Sequence, residues 1–383
     1  MFALKNLKRA LEKFGGVEQP RAERWPAPGV EAHYDLDVSP RTAGIKDISA
    51  TGICLITQDR LPVGNLIDLT LLKAGEPGDN SDLQFTIPAR VVAHEQEEGD
   101  GIALEFILPS ALHSDLWEVL VRNLVVLTDP IQVAETYRII HTLLFMCRIS
   151  PSEAEEAIVL LGGELDTVRT AALFEIALAA ERLLAAEPDC DRLRIHPKLL
   201  ANILREGSWA ADELTMLLWA GLLVSSCSVD APDDSNQVFV DLLVHLTPIE
   251  AKIFVLACER AAASAPGPGD SASVTVALSP HEMVELTGFH DLTRAATDVA
   301  YLFNLGLARN LFDFTSYREV ESFDITPSTL GLELYKRCHG LRQKPDPHLI
   351  EVAHTHLANF IEQPQLIHVP GALPSSTQSA SGS

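Results

Sequence analysis

The 383-residue chain changes its hydrophobic period once, near Pro130. Upstream, from Gly29, short runs alternate apolar and polar residues and are rich in β-branched side chains, as half-buried strands are. Downstream, apolar residues recur every three or four positions among Ala, Leu and Glu, as in amphipathic helices. Two periods in two blocks predict a multi-domain α+β chain. The length agrees, because about 100 to 200 residues per domain gives two or three domains.

In the first block the strand runs are Val30 to Val38, Gly44 to Thr57, Leu66 to Leu72, Leu83 to His94 and Ile102 to Ile107. Turns at Pro62-Val63-Gly64, Ala74 to Asp82 and Glu95 to Asp100 separate them. Five or six antiparallel strands close a small barrel. A helix over Ser114 to Leu127 would cap it, with Leu116, Trp117, Leu120, Leu124 and Val125 on its apolar side. The expected domains are 1–15, a basic amphipathic helix; 16–28, a linker; 29–127, the barrel with its capping helix; and 128–245, a helical domain. They continue with 246–340, a winged-helix-like unit; 341–362, a C-terminal helix; and 363–383, a disordered tail. The winged-helix order is read from helices at 248–262, 280–287 and 292–305, two strands about Tyr317, and a closing helix at 327–338.

Composition excludes some functions. A formal net charge of -24 opposes docking on nucleic-acid phosphates, which concentrates Lys and Arg. The six cysteines are scattered singly, without metal or disulfide spacing, and read as reduced thiols. Without a signal peptide or an apolar run of about 18 residues, a cytoplasmic location is expected. Residues 1–15 are a local exception, with Phe2, Leu4, Leu7, Leu11 and Phe14 opposite Lys5, Lys8, Arg9 and Lys13. Weak membrane contact is one reading of them, and packing on the acidic body or on a second copy is the favoured one.

The segment Lys46-Asp47-Ile48-Ser49-Ala50-Thr51-Gly52-Ile53-Cys54-Leu55 carries a D-x-S-x-x-G pattern. With Val63-Gly64-Asn65-Leu66-Ile67, Pro88-Ala89-Arg90-Val91-Val92 and Gly101-Ile102-Ala103-Leu104-Glu105-Phe106, it resembles the PilZ domain, and the resemblance implies a six-stranded barrel. It also implies cyclic di-GMP as the ligand. In such a site Asp47 accepts from guanine N1 and N2, Ser49 supplies a short hydroxyl, and Gly52 allows close backbone approach. The family's arginine pair has its counterpart in Arg21 and Arg24, for phosphate or guanine edges. Here the spacing is R-x-x-R rather than R-x-x-x-R, which turns one arginine to the other side of an extended segment. The alternative is a degenerate barrel that docks proteins, with Asp47 and Ser49 closing a turn and Gly52 serving a tight bend.

Arg194 to Leu200, Asp212-Glu213-Leu214, Trp219 to Leu223 and Phe239 to Ile253 resemble the family named after the alpha protein of abortive phage infection. That resemblance implies a helical interaction domain over about Asp191 to Cys338 and carries no catalytic residues. Enzyme signals are weak. His354 and His356 lie two apart on a helix, and no glycine-rich loop has the strand and Lys that phosphate binding needs. The expected function is a non-enzymatic, cofactor-free PilZ-type signalling receptor or adaptor, relaying to a protein partner or a second copy through the helical region. Its alternatives are a transcription-linked or phage-defence effector acting through the winged helix, and a structural assembly subunit.

Overall fold

The structure is a computed structural model that describes residues 22–36, 39–73, 83–95, 101–108, 112, 115–151, 166–229, 233–265, 274–309 and 322–362. The expected helix at 1–15, Arg21, the loop at 74–82, the helix expected at 152–161, the turn at Tyr317 and the tail at 363–383 lie outside these residues.

The described chain divides into two compact units, residues 1–211 with 219–234, and residues 212–218 with 235–383. The first unit opens with β1 (Val30–Leu36), β2 (Ser39–Ser49), β3 (Gly52–Ile56), β4 (Leu66–Lys73), β5 (Gln84–Glu95) and β6 (Gly101–Phe106). All neighbours are antiparallel, and pairing in the order β1-β2-β3-β6-β5-β4, with β4 returning to β1, closes a six-stranded barrel. Closure removes the exposed strand edges that an open sheet would leave. Inside, Ile48, Ile53, Leu55, Leu69, Leu71 and Ile87 are sealed from solvent, and each fully buried aliphatic side chain contributes about 1.5 to 3 kcal/mol.

The run from Gly44 to Thr57, continuous in pattern, is two strands. Ala50 and Thr51 reverse the chain, so β2 and β3 form a tight hairpin across Ser49↔Gly52. Alternation could not reveal the reversal, because β3 is buried on both faces over Gly52 to Leu55 and shows no polar side. A bulge shifts the β2–β3 register between Ile45 and Asp47. The extra residue breaks the in–out alternation, leaving both Lys46 and Asp47 outside while Ile48 returns to the core.

Helix α1 (Asp115–Val126) buries Trp117, Leu120 and Val121. Its indole N–H, at Trp117 Nε1, donates to the carbonyl of Ala50 at 2.7 Å, fastening the helix to the hairpin tip. Helix α2 (Pro130–Ile149) starts at the N-cap Asp129 and α3 (Thr167–Ala185) at Asp166, each carboxylate accepting a first-turn N–H. α2 packs along α3 and against β5, with Tyr137 and Phe85 ring centres 5.7 Å apart. α4 (Pro197–Gly207) follows. α5 (Glu213–Ser225) is divided between the units after Leu218.

The second unit holds α6 (Gln237–Val244), α7 (Pro248–Ser264), α8 (Pro280–Thr287), α9 (Leu292–Asn304), α10 (Thr329–Cys338) and α11 (Pro347–Glu362). Thr247 with Glu250 and Ser279 with Glu282 are reciprocal capping boxes. The short strand Phe323–Asp324 was expected to pair within a hairpin about Tyr317. Among the described residues it pairs with Ala277–Leu278, just before α8, while the turn and most of the other strand of that hairpin lie outside the described residues. Two-residue pairings leave no periodic trace. The C-terminal helix was expected from 341 and starts at Pro347, because Pro345 and Pro347 disfavour helix at the residues before them. Among the described residues no helix is long and apolar enough to cross a membrane. The six cysteines are free, five of them buried.

Candidate ligand-binding site

The expected linker is not a free tether at its end. Trp25 N–H donates to Ile48 O at 2.8 Å and Ile48 N–H to Trp25 O at 2.9 Å. β1 pairs with β2 as far as Glu31↔Gly44, and after an excursion over Pro26 to Gly29 the pairing resumes at Trp25↔Ile48. Trp25 is buried, so its side chain anchors what its backbone aligns.

This continuation sets Arg24 beside Asp47. Arg24 Nη1 donates to Asp47 Oδ1 at 2.5 Å, with side-chain exposures of 50% and 22%. Two residues 23 positions apart therefore meet on the barrel's outer surface, where solvent and a ligand can reach both. The bulge at Lys46 is what turns Asp47 outward. An ion pair this exposed is worth about 0 to 1 kcal/mol, so a ligand that offers each partner a better bond can replace it.

Ser49 is 1% exposed. Its hydroxyl donates to Gly52 O at 3.1 Å and accepts from Thr51 N–H at 3.4 Å, closing the hairpin. A Cβ on Gly52 would fall 2.2 Å from the backbone oxygen of Leu104 on β6. The absent side chain here admits a strand. Ser49 and Gly52 thus shape the turn on which Asp47 is presented, while Arg21 lies outside the described residues.

The strand motif alone could not disclose two further groups. One is Trp117, read in the sequence as a core residue of α1, whose N–H ties down Ala50. The signal was available, because a buried indole N–H needs an acceptor. The other is the exposed pair Arg90 and Glu105 at 3.9 Å, which the register Gly52↔Glu105↔Arg90 carries across β6 and β5. Among the described residues no group of three or more His, Cys, Asp or Glu could hold a metal ion.

Fold and site together define a class: a closed six-stranded barrel with an outward Arg–Asp pair over a serine-closed hairpin, followed in the chain by helices. Comparison with known families makes it specific. Residues 18–122 match the PilZ domain, and residues 169–336 match the family described as abortive infection alpha. One solved structure with a similar portion is that of the Borreliella burgdorferi PlzA protein in complex with c-di-GMP. It is 14% identical, the match covers 32% of this chain and 55% of that one, and the TM-score is 0.22. The chain thus spans about half the length of that protein. No curated protein matches it.

Proposed function

We propose that the PilZ barrel is a non-catalytic receptor for cyclic di-GMP, bound over the Arg24–Asp47 pair, and that the helical region passes the bound state to a protein partner. The observation that carries this reading is the meeting of Arg24 and Asp47 on the outer face. The guanine edge would take Asp47 as its acceptor for N1 and N2. Arg24, released from Asp47, would fork to a phosphate or to the guanine O6 and N7. The exposed pair costs about 1 kcal/mol or less to open, against about 1 to 3 kcal/mol for one good bidentate contact. Ligand-free, the two side chains neutralise each other; ligand-bound, each has its own partner. Ser49, Gly52 and Trp117 hold the platform, and Arg21, three residues before Arg24, would supply the second cation. The R-x-x-R spacing makes the site weaker than one with both arginines on the same side.

The test is titration of the purified protein with cyclic di-GMP in a calorimeter, beside Asp47→Ala and Arg24→Ala. Saturable binding lost in both variants supports the reading; binding that survives both places the ligand elsewhere.

The match of residues 169–336 to abortive infection alpha favours a second reading, a phage-defence effector acting through the second unit. There the order α7, strand, α8, α9, strand, α10 supports a winged-helix-like arrangement used for protein contact. Arg294, the cation on α9, lies 4.1 Å from the centre of the Phe289 ring, which is a poor start for a groove-reading face. Plaque counts on cells with and without the protein separate the readings: protection that persists in Asp47→Ala favours the effector.

A further inference from the structure

Away from the hairpin, between the outer face of β4 and β5 and the helices α2 and α3, lies a cleft with a cavity volume of about 730 Å³. We propose that it binds a small aromatic anion, a flat ring system with one acidic group at one end and a hydrogen-bond donor at the other. The volume falls in the range of about 300 to 1,000 Å³ that holds small molecules.

The acidic end is set by Arg148, whose guanidinium stands 3.2 Å from Glu181 Oε1 and lies 5.4 Å from the centre of the Phe145 ring. Glu181 in turn accepts from His141 Nε2 at 3.0 Å through its other oxygen. One carboxylate oxygen thus fixes the arginine and leaves most of its planar fork of donors for a second anion. Leu144, Phe145 and Leu178 supply the apolar surface a ring would cover.

The opposite wall is the strip of outward cross-strand pairs Asp68↔Pro88 and Thr70↔Thr86. The two threonine hydroxyls bond each other at 2.8 Å, while Asp68 forms no ion pair among the described residues. Exposed at the edge of the cleft, its carboxylate can accept an N–H or O–H at the far end of the ligand. With Asp68 and Glu181 both on the walls, a dianion would meet two carboxylates and one guanidinium, which limits the guest to a single acidic group.

The probe is 8-anilinonaphthalene-1-sulfonate, which joins a sulfonate, fused rings and an N–H. Titrated into the full chain, it should show saturable fluorescence at one site per chain. Arg148→Gln, a change at a half-exposed side chain, should weaken it about tenfold, and Leu178→Trp should abolish it by filling the cleft. Asp47→Ala should leave it unchanged and cyclic di-GMP should not displace it, so this test can fail or succeed apart from that of the hairpin site. Non-saturating fluorescence, a site indifferent to Arg148→Gln, or displacement by cyclic di-GMP would overturn the proposal. Should Leu178→Trp lose its native circular dichroism, Arg148→Gln alone decides.

Discussion

The barrel and the C-terminal unit are both stabilised by apolar cores, yet Arg24 and Asp47 of the first and Glu250 and Arg337 of the second stand on opposite sides of the surface. In the barrel, Arg24 and Asp47 stand outside, and the hairpin beneath them is held by neutral bonds from Ser49 and Trp117. In the C-terminal unit Glu250 and Arg337 are inside, while the pair Arg260 and Glu282 stays at the surface. Glu250 is 5% exposed and accepts Thr247 N–H at 2.7 Å, and Arg337 is 2% exposed and forks to Glu333 at 2.7 and 2.9 Å. Charge turned outward is free to change partners, whereas charge turned inward is committed to the fold, because leaving it unpaired costs about 3 to 5 kcal/mol. The Arg24–Asp47 pair is thus free to exchange partners, whereas the Thr247–Glu250 cap belongs to the architecture.

Two glycines give the largest test of this contrast. A Cβ on Gly52 would meet Leu104 O at 2.2 Å, and one on Gly331 would meet Leu307 O at 2.3 Å. Backbone cannot yield as a side-chain tip can, so Gly52→Ala and Gly331→Ala should each lose about 3 kcal/mol or more, read by hydrogen exchange in the peptides around each site. Gly52→Ala should also lose nucleotide binding and Gly331→Ala retain it. Loss of binding in both would break the comparison.

Next in size is ligand affinity. Asp47→Ala should lower affinity for cyclic di-GMP about a hundredfold, or about 3 kcal/mol, and Arg24→Ala about ten- to a hundredfold. Neither should move the melting midpoint by more than about 1 kcal/mol allows, since the pair is exposed. Calorimetry and thermal unfolding check the two halves. A melting shift as large as that of Gly52→Ala would make the pair structural.

Smaller still is the response to acid, where the units should differ in sign. At Glu181, burial pushes the carboxyl up, but the bond from His141, that ring's charge and Arg148 together hold it below the usual carboxylate range. Its contribution is present above about pH 4.3, the unfolded value, and is lost as pH falls through the lower folded value. At Glu250 burial outweighs the Thr247 bonds and raises the carboxyl, and burial raises Asp298 as well. Those two groups favour the fold once protonated, so their contribution appears as pH falls through the raised values and is absent at neutral pH. Glu181→Gln should lose about 1 kcal/mol at neutral pH, discounted for its partial exposure, and Glu250→Gln should be neutral or slightly stabilising. Equal acid profiles for the two variants in denaturant melts would contradict this.

The smallest expected signal is none. Duplex DNA at physiological salt should bind no tighter than about 10⁻⁶ M, the non-specific range. A salt-sensitive nanomolar shift in a gel would mean that the second unit carries a cationic face after all.

The helices were legible because their punctuation is local. Pro248 and Pro280 each stand at the first position of a helix, after a Thr or Ser that caps it, and Pro130 follows the cap Asp129. The barrel's block of strands and its D-x-S-x-x-G motif were legible for the same reason, whereas the reversal at Ala50 and Thr51 within that motif was not. What escaped was non-local. The Trp25 bridge joins residues 23 apart through backbone groups, which side-chain patterns do not report. The bulge at Lys46 shows only as an interrupted alternation, and the partner of Phe323 lies 45 residues upstream, across a pairing of two residues on each strand. The resemblance paired Asp47 with Arg24; the strand continuation is the physical reason that the two side chains meet.

That continuation also bears on where the barrel can be cut. A chain begun at Gly29, the boundary its strand pattern suggests, would keep all six strands and the closure of β1 on β4, yet would lack the Trp25 segment. The N–H and C=O of Ile48, both bonded to Trp25 in the full chain, would then face outward without partners. A few residues of β2 would become a bare strand edge beside an apolar gap, the feature that templates pairing with another molecule. The shortened barrel should therefore associate with itself as concentration rises, and a cut made upstream of Arg24 should not.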